Sequence, residues 1–454
     1  MEWDRKIEEM LEEIQEIKMV SPDWVRNQLV VRLIDGLFAA DDRLFAADDR
    51  LFAADDRVLY ICFAKYRLDN VTSYVVEAIE LNSVLSSLVS CLPNKNCSIM
   101  PNKLQLQHST KNKLQLKQVA SKSGKDLPAH VGCGVFGSKV LFAGGVKGGL
   151  DPEVDEYRPC PCRQIFEFET DRTMNPNRSI KLQAQIFRGR KAQPLLQEIE
   201  GKLYALGTYQ LSFHASPYFE VFDPQEAKWS PLPDPPVFLR FNTREVCHSP
   251  QQYCFTIAGT NIIMSCVGEP VYCFDVADPI NKVWRVLPGI PSDDLNFQGR
   301  ALAVDYGEGD FVIFCYGSLR APNAIPVYLL PKGYSELKVV KPMQLPTGLL
   351  PPEFVVSPAN SRFIHLGGRT VCLLLSRFMG PFSCYYMADI MKISVRALIF
   401  EFKVSKDRRS VDFEFLYSRI LECDGNWQSQ DSEAMTIYGE ILTSDVELVG
   451  AFVM

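Results

Sequence analysis

The chain has 454 residues, 47% of them hydrophobic and 23% charged, with a formal net charge of −7 at pH 7. This is ordinary globular material, long enough for one large ring or two or three domains, and its acidic balance argues against general nucleic-acid binding. The longest apolar stretches, such as Val371 to Leu375, fall far short of a bilayer span.

Residues 1–36 form an N-terminal segment with one clear helical pattern. Ile7, Met10, Leu11, Ile14 and Ile17 recur at helical spacing between Glu8, Glu9, Glu12, Glu13 and Glu16, which predicts a short amphipathic helix over 5–20 that Ser21-Pro22 ends. Two heptads are short for a coiled coil, so docking onto the chain's own body is favoured over self-association. Met1-Glu2-Trp3-Asp4 lacks the basic-then-apolar order of an export signal. The expectation is therefore a cytoplasmic chain, with nuclear residence as the alternative, whose fourteen cysteines are reduced thiols.

Leu-Phe-Ala-Ala-Asp-Asp-Arg then occurs three times without a gap, over 37–57. Period seven inverts alternate copies on a strand, and on a helix the apolar residues spread all round, so neither form gains a consistent face. Val58 to Phe63 and Tyr74 to Leu81 follow as two apolar strands of a first sheet. A polar insert over about 94–125 repeats Asn102-Lys103-Leu104-Gln105-Leu106 as Asn112-Lys113-Leu114-Gln115-Leu116 and adds Lys117, Lys122 and Lys125. Scattered lysines without interleaved aromatics read as a solvated loop rather than a polyanion contact.

From about residue 130 a unit of just over fifty residues repeats. Phe187-Arg188-Gly189-Arg190, Phe241-Asn242-Thr243-Arg244 and Phe297-Gln298-Gly299-Arg300 each precede an apolar run that stops at glycine: Leu203 to Gly207, Phe255 to Gly259 and Phe311 to Gly317. Phe222-Asp223 leads to Trp229-Ser230-Pro231-Leu232-Pro233, as Phe274-Asp275 leads to Trp284-Arg285-Val286-Leu287-Pro288. Runs ending in the pairs Gly144-Gly145 and Gly367-Gly368 each precede an Ile-Phe-Glu-Phe strand, at 165–168 and 399–402. Short strands at this period point to an array whose units need neighbours to bury both faces. The glycines permit tight turns and close backbone approach, and the late Trp supplies apolar area for packing one unit on the next.

A strand ending in Gly-Gly, an aromatic strand, a turn and a Trp, in that order, resembles the kelch-repeat proteins, in particular the degenerate kelch and galactose oxidase-like propellers of plants. The resemblance covers about 130–420 and implies an all-β fold, a kelch-type β-propeller of about six four-stranded blades over 58–423, with 424–454 as a C-terminal tail. It implies a protein-interaction or adaptor role, often substrate recognition for ubiquitin ligases. The F-box that such chains carry upstream is not matched in 1–36, and the tyrosine and histidine copper ligands of the propeller oxidases have no counterparts.

Other motifs lack the context their chemistry needs. Gly132-Cys133-Gly134-Val135-Phe136-Gly137 has dinucleotide spacing but leads into a strand, which favours a small-residue inner strand. Cys160 and Cys162, or Cys247, His248 and Cys254, have no second pair at zinc spacing, and no nucleophile elbow occurs. No catalytic residue, metal or cofactor is therefore assigned. The best candidates for contact are Arg190, Arg244 and Arg300, which equivalent positions in successive units would bring to one face, where planar guanidinium forks suit an acidic protein partner. Internal ion pairs are their structural alternative. A small-molecule enzyme working at the mouth of the ring is the rival from another class.

Overall fold

The computed structural model describes residues 57–66, 71–85, 113–151, 156–170, 178–207, 217–240, 253–266, 269–278, 280, 282–289, 298–307, 309–316, 324–333, 336–345, 361–376, 394–423 and 445–454. These belong to one compact unit, Arg57–Met454. The expected N-terminal helix, residues 37–56, Arg244, Gly317, Cys247 and His248 lie outside the described residues.

The unit is built almost entirely of antiparallel strands. Sheet 1 contains β1 (Val58–Tyr66), β2 (Thr72–Glu80) and β4 (Lys117–Gly124), while β3 (Lys113–Gln115) pairs with sheet 6. Sheet 2 contains β5 (Gly132–Phe136), β6 (Lys139–Ala143), β9 (Ile165–Glu169) and β10 (Lys181–Leu182), with a hairpin of β7 (Val146–Asp151) and β8 (Glu156–Pro161) inserted. Sheet 3 runs β11 (Leu195–Ile199), β12 (Lys202–Leu206), β13 (Phe219–Asp223) and β14 (Lys228–Pro231). Sheet 4 runs β15 (Tyr253–Ala258), β16 (Asn261–Cys266), β17 (Val271–Asp275) and β18 (Arg285–Leu287). Sheet 5 runs β19 (Gln298–Gly307), β20 (Asp310–Tyr316), β21 (Ala324–Leu330) and β22 (Lys338–Gln344), and joins sheet 4 through parallel pairing of β15 with β19. Sheet 6 runs β23 (Ser361–Gly367), β24 (Thr370–Ser376), β25 (Ser394–Val404) and β26 (Val411–Glu422). Finally β27 (Asp445–Val453) pairs with β1 and completes sheet 1.

Neighbouring sheets share cores because their middle strands are apolar on both faces. In β12, Leu203 and Ala205 pack toward sheet 2 while Tyr204 and Leu206 pack toward sheet 4. In β20, Phe311, Ile313 and Cys315 pack toward sheet 4, and Val312, Phe314 and Tyr316 toward sheet 6. Alternation along a strand thus serves two interfaces at once, which is why these segments read as unbroken apolar runs. The first strands lie side by side, β27 with β5, β5 with β11, β15 with β19, β19 with β23 and β23 again with β27, and sheets 3 and 4 share a core. That cyclic order is the order of a β-propeller.

Three expectations need correction. The segment expected as a C-terminal tail supplies β27, because its apolar Leu448 and Val449 are fully buried between sheets. The expected polar insert supplies β3 and β4 at its C-terminal end, where Leu116, Val119 and Ala120 are buried around exposed Lys117. The glycine-ended runs are also not all equivalent. Leu203 to Leu206 and Phe311 to Tyr316 lie in second strands, whereas Phe255 to Ala258 lies in a first strand, and the second strand there is Asn261–Cys266. In the same way Gly144-Gly145 follows the second strand of sheet 2, but Gly367-Gly368 sits at the turn from first to second strand of sheet 6. A doubly buried strand of either kind is apolar throughout, so the runs alone cannot fix the phase.

Candidate functional site

The connection from sheet 2 to sheet 3 contains the first Phe-x-x-Arg phrase, and each residue has a local reason to be there. Phe187 is fully buried with its ring edge-on to Trp229, centroids 4.8 Å apart. The next two amides turn onto a carboxylate from β13: Arg188 N–H and Gly189 N–H donate to Glu220 at 2.9 and 2.7 Å. Lys191 completes the arrangement, donating from Nζ to Glu220 Oε1 at 2.7 Å and to Pro217 O at 2.6 Å, with both charged side chains fully buried. Burial drives the Lys191 ammonium below its ordinary value and Glu220 draws it back only in part. A desolvated carboxylate with three donors is satisfied, so this pair fixes the connection.

Beside this connection, sheets 2 and 3 part to leave a cleft of about 350 Å³. Its floor is Phe222, Trp229, Leu141 and Leu203, with half-buried Phe136 at one side, edge-on to Phe222 at 6.0 Å. The rim is polar and comes from both sheets: Ser138, Lys139, Gln183 and Gln185 from sheet 2 and its exit, Glu198 from β11. Gly137, at the β5–β6 turn with φ 57°, donates its N–H to Glu198 Oε2 at 2.7 Å and so aims that carboxylate along the rim. Lys139 is held by Glu167 at 2.9 Å, and Gln183 donates to the same Glu167 oxygen at 2.5 Å. The hydrogen bond to Glu167 keeps the Lys139 ammonium above its ordinary value. Burial pushes the Glu167 carboxyl up, but the donors from Gln183 and Lys139 outweigh it and hold the group below its ordinary value.

Of the three arginines singled out by sequence, Arg244 lies outside the described residues, and Arg190 and Arg300 have different surroundings. Arg190 is exposed on the connection before β11. Arg300 lies in β19, half-buried, and its guanidinium donates to Cys133 O at 2.7 Å and Pro194 O at 3.5 Å, reaching the first strand of sheet 2 and the residue that leads into sheet 3. It ties first strands together. Trp229 is buried against Phe187 and Phe222, and Trp284, half-exposed, packs on Phe219 and Phe274 and donates Nε1–H to Pro233 O at 2.8 Å. Gly207 ends β12 in ordinary contact with Tyr218, whereas a Cβ on Gly144 would stand 2.5 Å from Lys191 O and one on Gly145 2.5 Å from Ala129 O. The Gly132 to Gly137 stretch forms β5, where a Cβ on Gly134 would meet Leu196 Cβ at 2.4 Å, so small residues let β5 and β11 approach. Among the described residues no group of three potential metal-ligating side chains occurs, and no helix is long and apolar enough to cross a membrane.

None of the cleft residues Phe136, Lys139, Gln183, Gln185 and Glu198 was singled out as a site by sequence. They come from two sheets and have no shared spacing. The only signal was indirect, since Trp229 and Phe222 were legible as packing residues.

A family described as "Protein of unknown function (DUF1668)" matches residues 184–373. No curated protein matches the chain. Among solved structures, a periplasmic gluconolactonase of Pseudomonas aeruginosa is 13% identical, covering 82% of this chain and 85% of its own, with a TM-score of 0.38. The WD40 domain of Toxoplasma gondii coronin is 7% identical over 79% of this chain and 68% of its own, also at 0.38. Likenesses of this size carry no argument about function.

Proposed function

We propose that the chain is a kelch-type β-propeller of six four-stranded blades that works as a non-catalytic protein-interaction module, with the cleft between sheets 2 and 3 as its contact site. The observation that carries the reading is the cleft's construction: a floor of Phe222 and Trp229 fixed in the core that sheets 2 and 3 share, with two amide side chains and a carboxylate on the rim. A rigid scaffold presenting a concave, mixed surface suits recognition of an extended segment, in which one side chain enters the floor and the backbone meets the amides. The six meanders and the return of β27 to β1 support the blade number.

The test is site-directed photo-crosslinking. A benzophenone amino acid at Gln185, exposed on the rim, is expected to yield a discrete protein adduct in cells, while the same probe at exposed Lys406, on the β25–β26 turn, yields none. Adducts of equal yield from both positions, or none from Gln185, would remove the cleft from consideration.

A further inference from the structure

The cleft's charge and geometry point to the class of side chain it takes. Lys139, the one cation on its rim, is already paired with Glu167, and Glu167 is in turn shared with Gln183. Glu198 is held differently. One of its oxygens accepts the Gly137 N–H, and the other accepts nothing from the described residues, so the carboxylate is oriented by its neighbour yet keeps an open acceptor on the rim. The cleft lining thus carries one cation, Lys139, already taken by Glu167 behind it, and one anion, Glu198, with an oxygen still open, near the rings of Phe222 and Trp229.

Resting on the interaction-module reading, we infer that the cleft receives a basic side chain, arginine or lysine, from an extended segment of a protein partner. The aliphatic stem would lie along half-buried Phe136, the cationic head would reach Glu198, and the aromatic floor would add attraction to the cation. Gln183 and Gln185 are placed to meet the flanking backbone. An acidic ligand would find Lys139 neutralised and Glu198 opposing it. The acidic partner expected from the arginine phrases is of the opposite charge class, so the two expectations separate experimentally.

The experiment is selection of a displayed random twelve-residue peptide library on the full chain, with every selected peptide re-measured on Glu198→Gln and Phe136→Ala. Glu198→Gln keeps an oxygen for the Gly137 N–H while removing the charge and is expected to melt as the parent does, whereas Phe136→Ala loses its contact with Phe222 and should melt somewhat earlier, so binding to it is measured well below its own melting temperature. The expected result is enrichment of arginine or lysine at one peptide position. Binding should fall at least tenfold on Glu198→Gln, and equally when that residue is replaced by citrulline or norleucine. Peptides that need Phe136 but carry no basic residue, or that ignore Glu198→Gln, would overturn the basic class and leave the interaction module standing. Failure to select any peptide sensitive to Phe136→Ala would overturn both.

Discussion

The ring centroids of Phe222 and Trp229 lie 5.4 Å apart with their planes inclined at 43°. One sheet further on, Phe274 and Trp284 repeat the pair at 5.2 Å and 46°. The two pairs differ in cover, since Trp229 is buried and Trp284 half-exposed. Trp229→Ala should therefore cost about 3–5 kcal/mol, as for a large aromatic lost from a core. Trp284→Ala should cost clearly less, about 1–3 kcal/mol, part of it the lost Nε1–H bond to Pro233. Urea melts of the two variants check the order, and equal losses would contradict it.

Arg300 and Arg190 should separate just as clearly. Arg300→Ala leaves Cys133 O without its charged donor and is expected to lower stability by about 1.5–3 kcal/mol. Arg190→Ala, at an exposed position, should cost clearly less than Arg300→Ala. A triple change of Arg190, Arg244 and Arg300 would then melt early on account of Arg300, and any loss of partner capture is interpretable only with Arg300 intact.

The Lys191–Glu220 pair offers a double-mutant cycle. Lys191→Met alone leaves a buried carboxylate with only amide donors and should cost about 3–5 kcal/mol, whereas Lys191→Met with Glu220→Leu should lose less than the sum of the single changes. There is also a pH signature. The folded ammonium titrates below its ordinary value of 10.5, so between the two values the unfolded chain holds a proton that the folded chain has released. Stability contributed by this group rises with pH across that window and is flat below it. Melts of parent and Lys191→Met between pH 8 and 10.5 test the sign.

Cysteine reactivity should follow burial. Burial pushes the Cys372 thiol up to about 12 and raises Cys62 and Cys315 well above their ordinary value. At pH 8 these should resist alkylation in the folded chain and react on unfolding, while half-exposed Cys162 reacts first among the described thiols. Mass spectrometry of alkylated peptides at timed intervals reads the order. Early labelling of Cys372 would show that sheet 6 opens readily.

Much of the architecture was legible because local chemistry repeats with the units. The Phe-Asp and Trp phrases marked the third and fourth strands of sheets 3 and 4, since in each sheet the Trp ring meets the Phe ring where the third strand turns to the fourth. The phase of the apolar runs was not legible, because inner and middle strands carry the same composition when both faces are covered. Nor was β27, which needs a partner far away in sequence to be seen as a strand. The cleft was least visible of all. Glu198 and Lys139 acquire their roles only when β11 lies beside β5, and the Gly134 notch that allows it looks like a phosphate-loop fragment in one dimension.

The pairing of β27 with β1 joins strands from opposite ends of the described unit. Val58 and Met454 exchange both backbone hydrogen bonds, Val58 N–H to Met454 O at 2.9 Å and the return bond at 3.0 Å. Until residues 445–453 pair with it, β1 keeps one edge bare, and Cys62 and Phe63 lack the strand that covers them. Pairing strands this far apart in sequence carries a large loop-closure cost, so β1 gains its second neighbour only once a distant segment has been brought to it, and its edge is open to other strands until then.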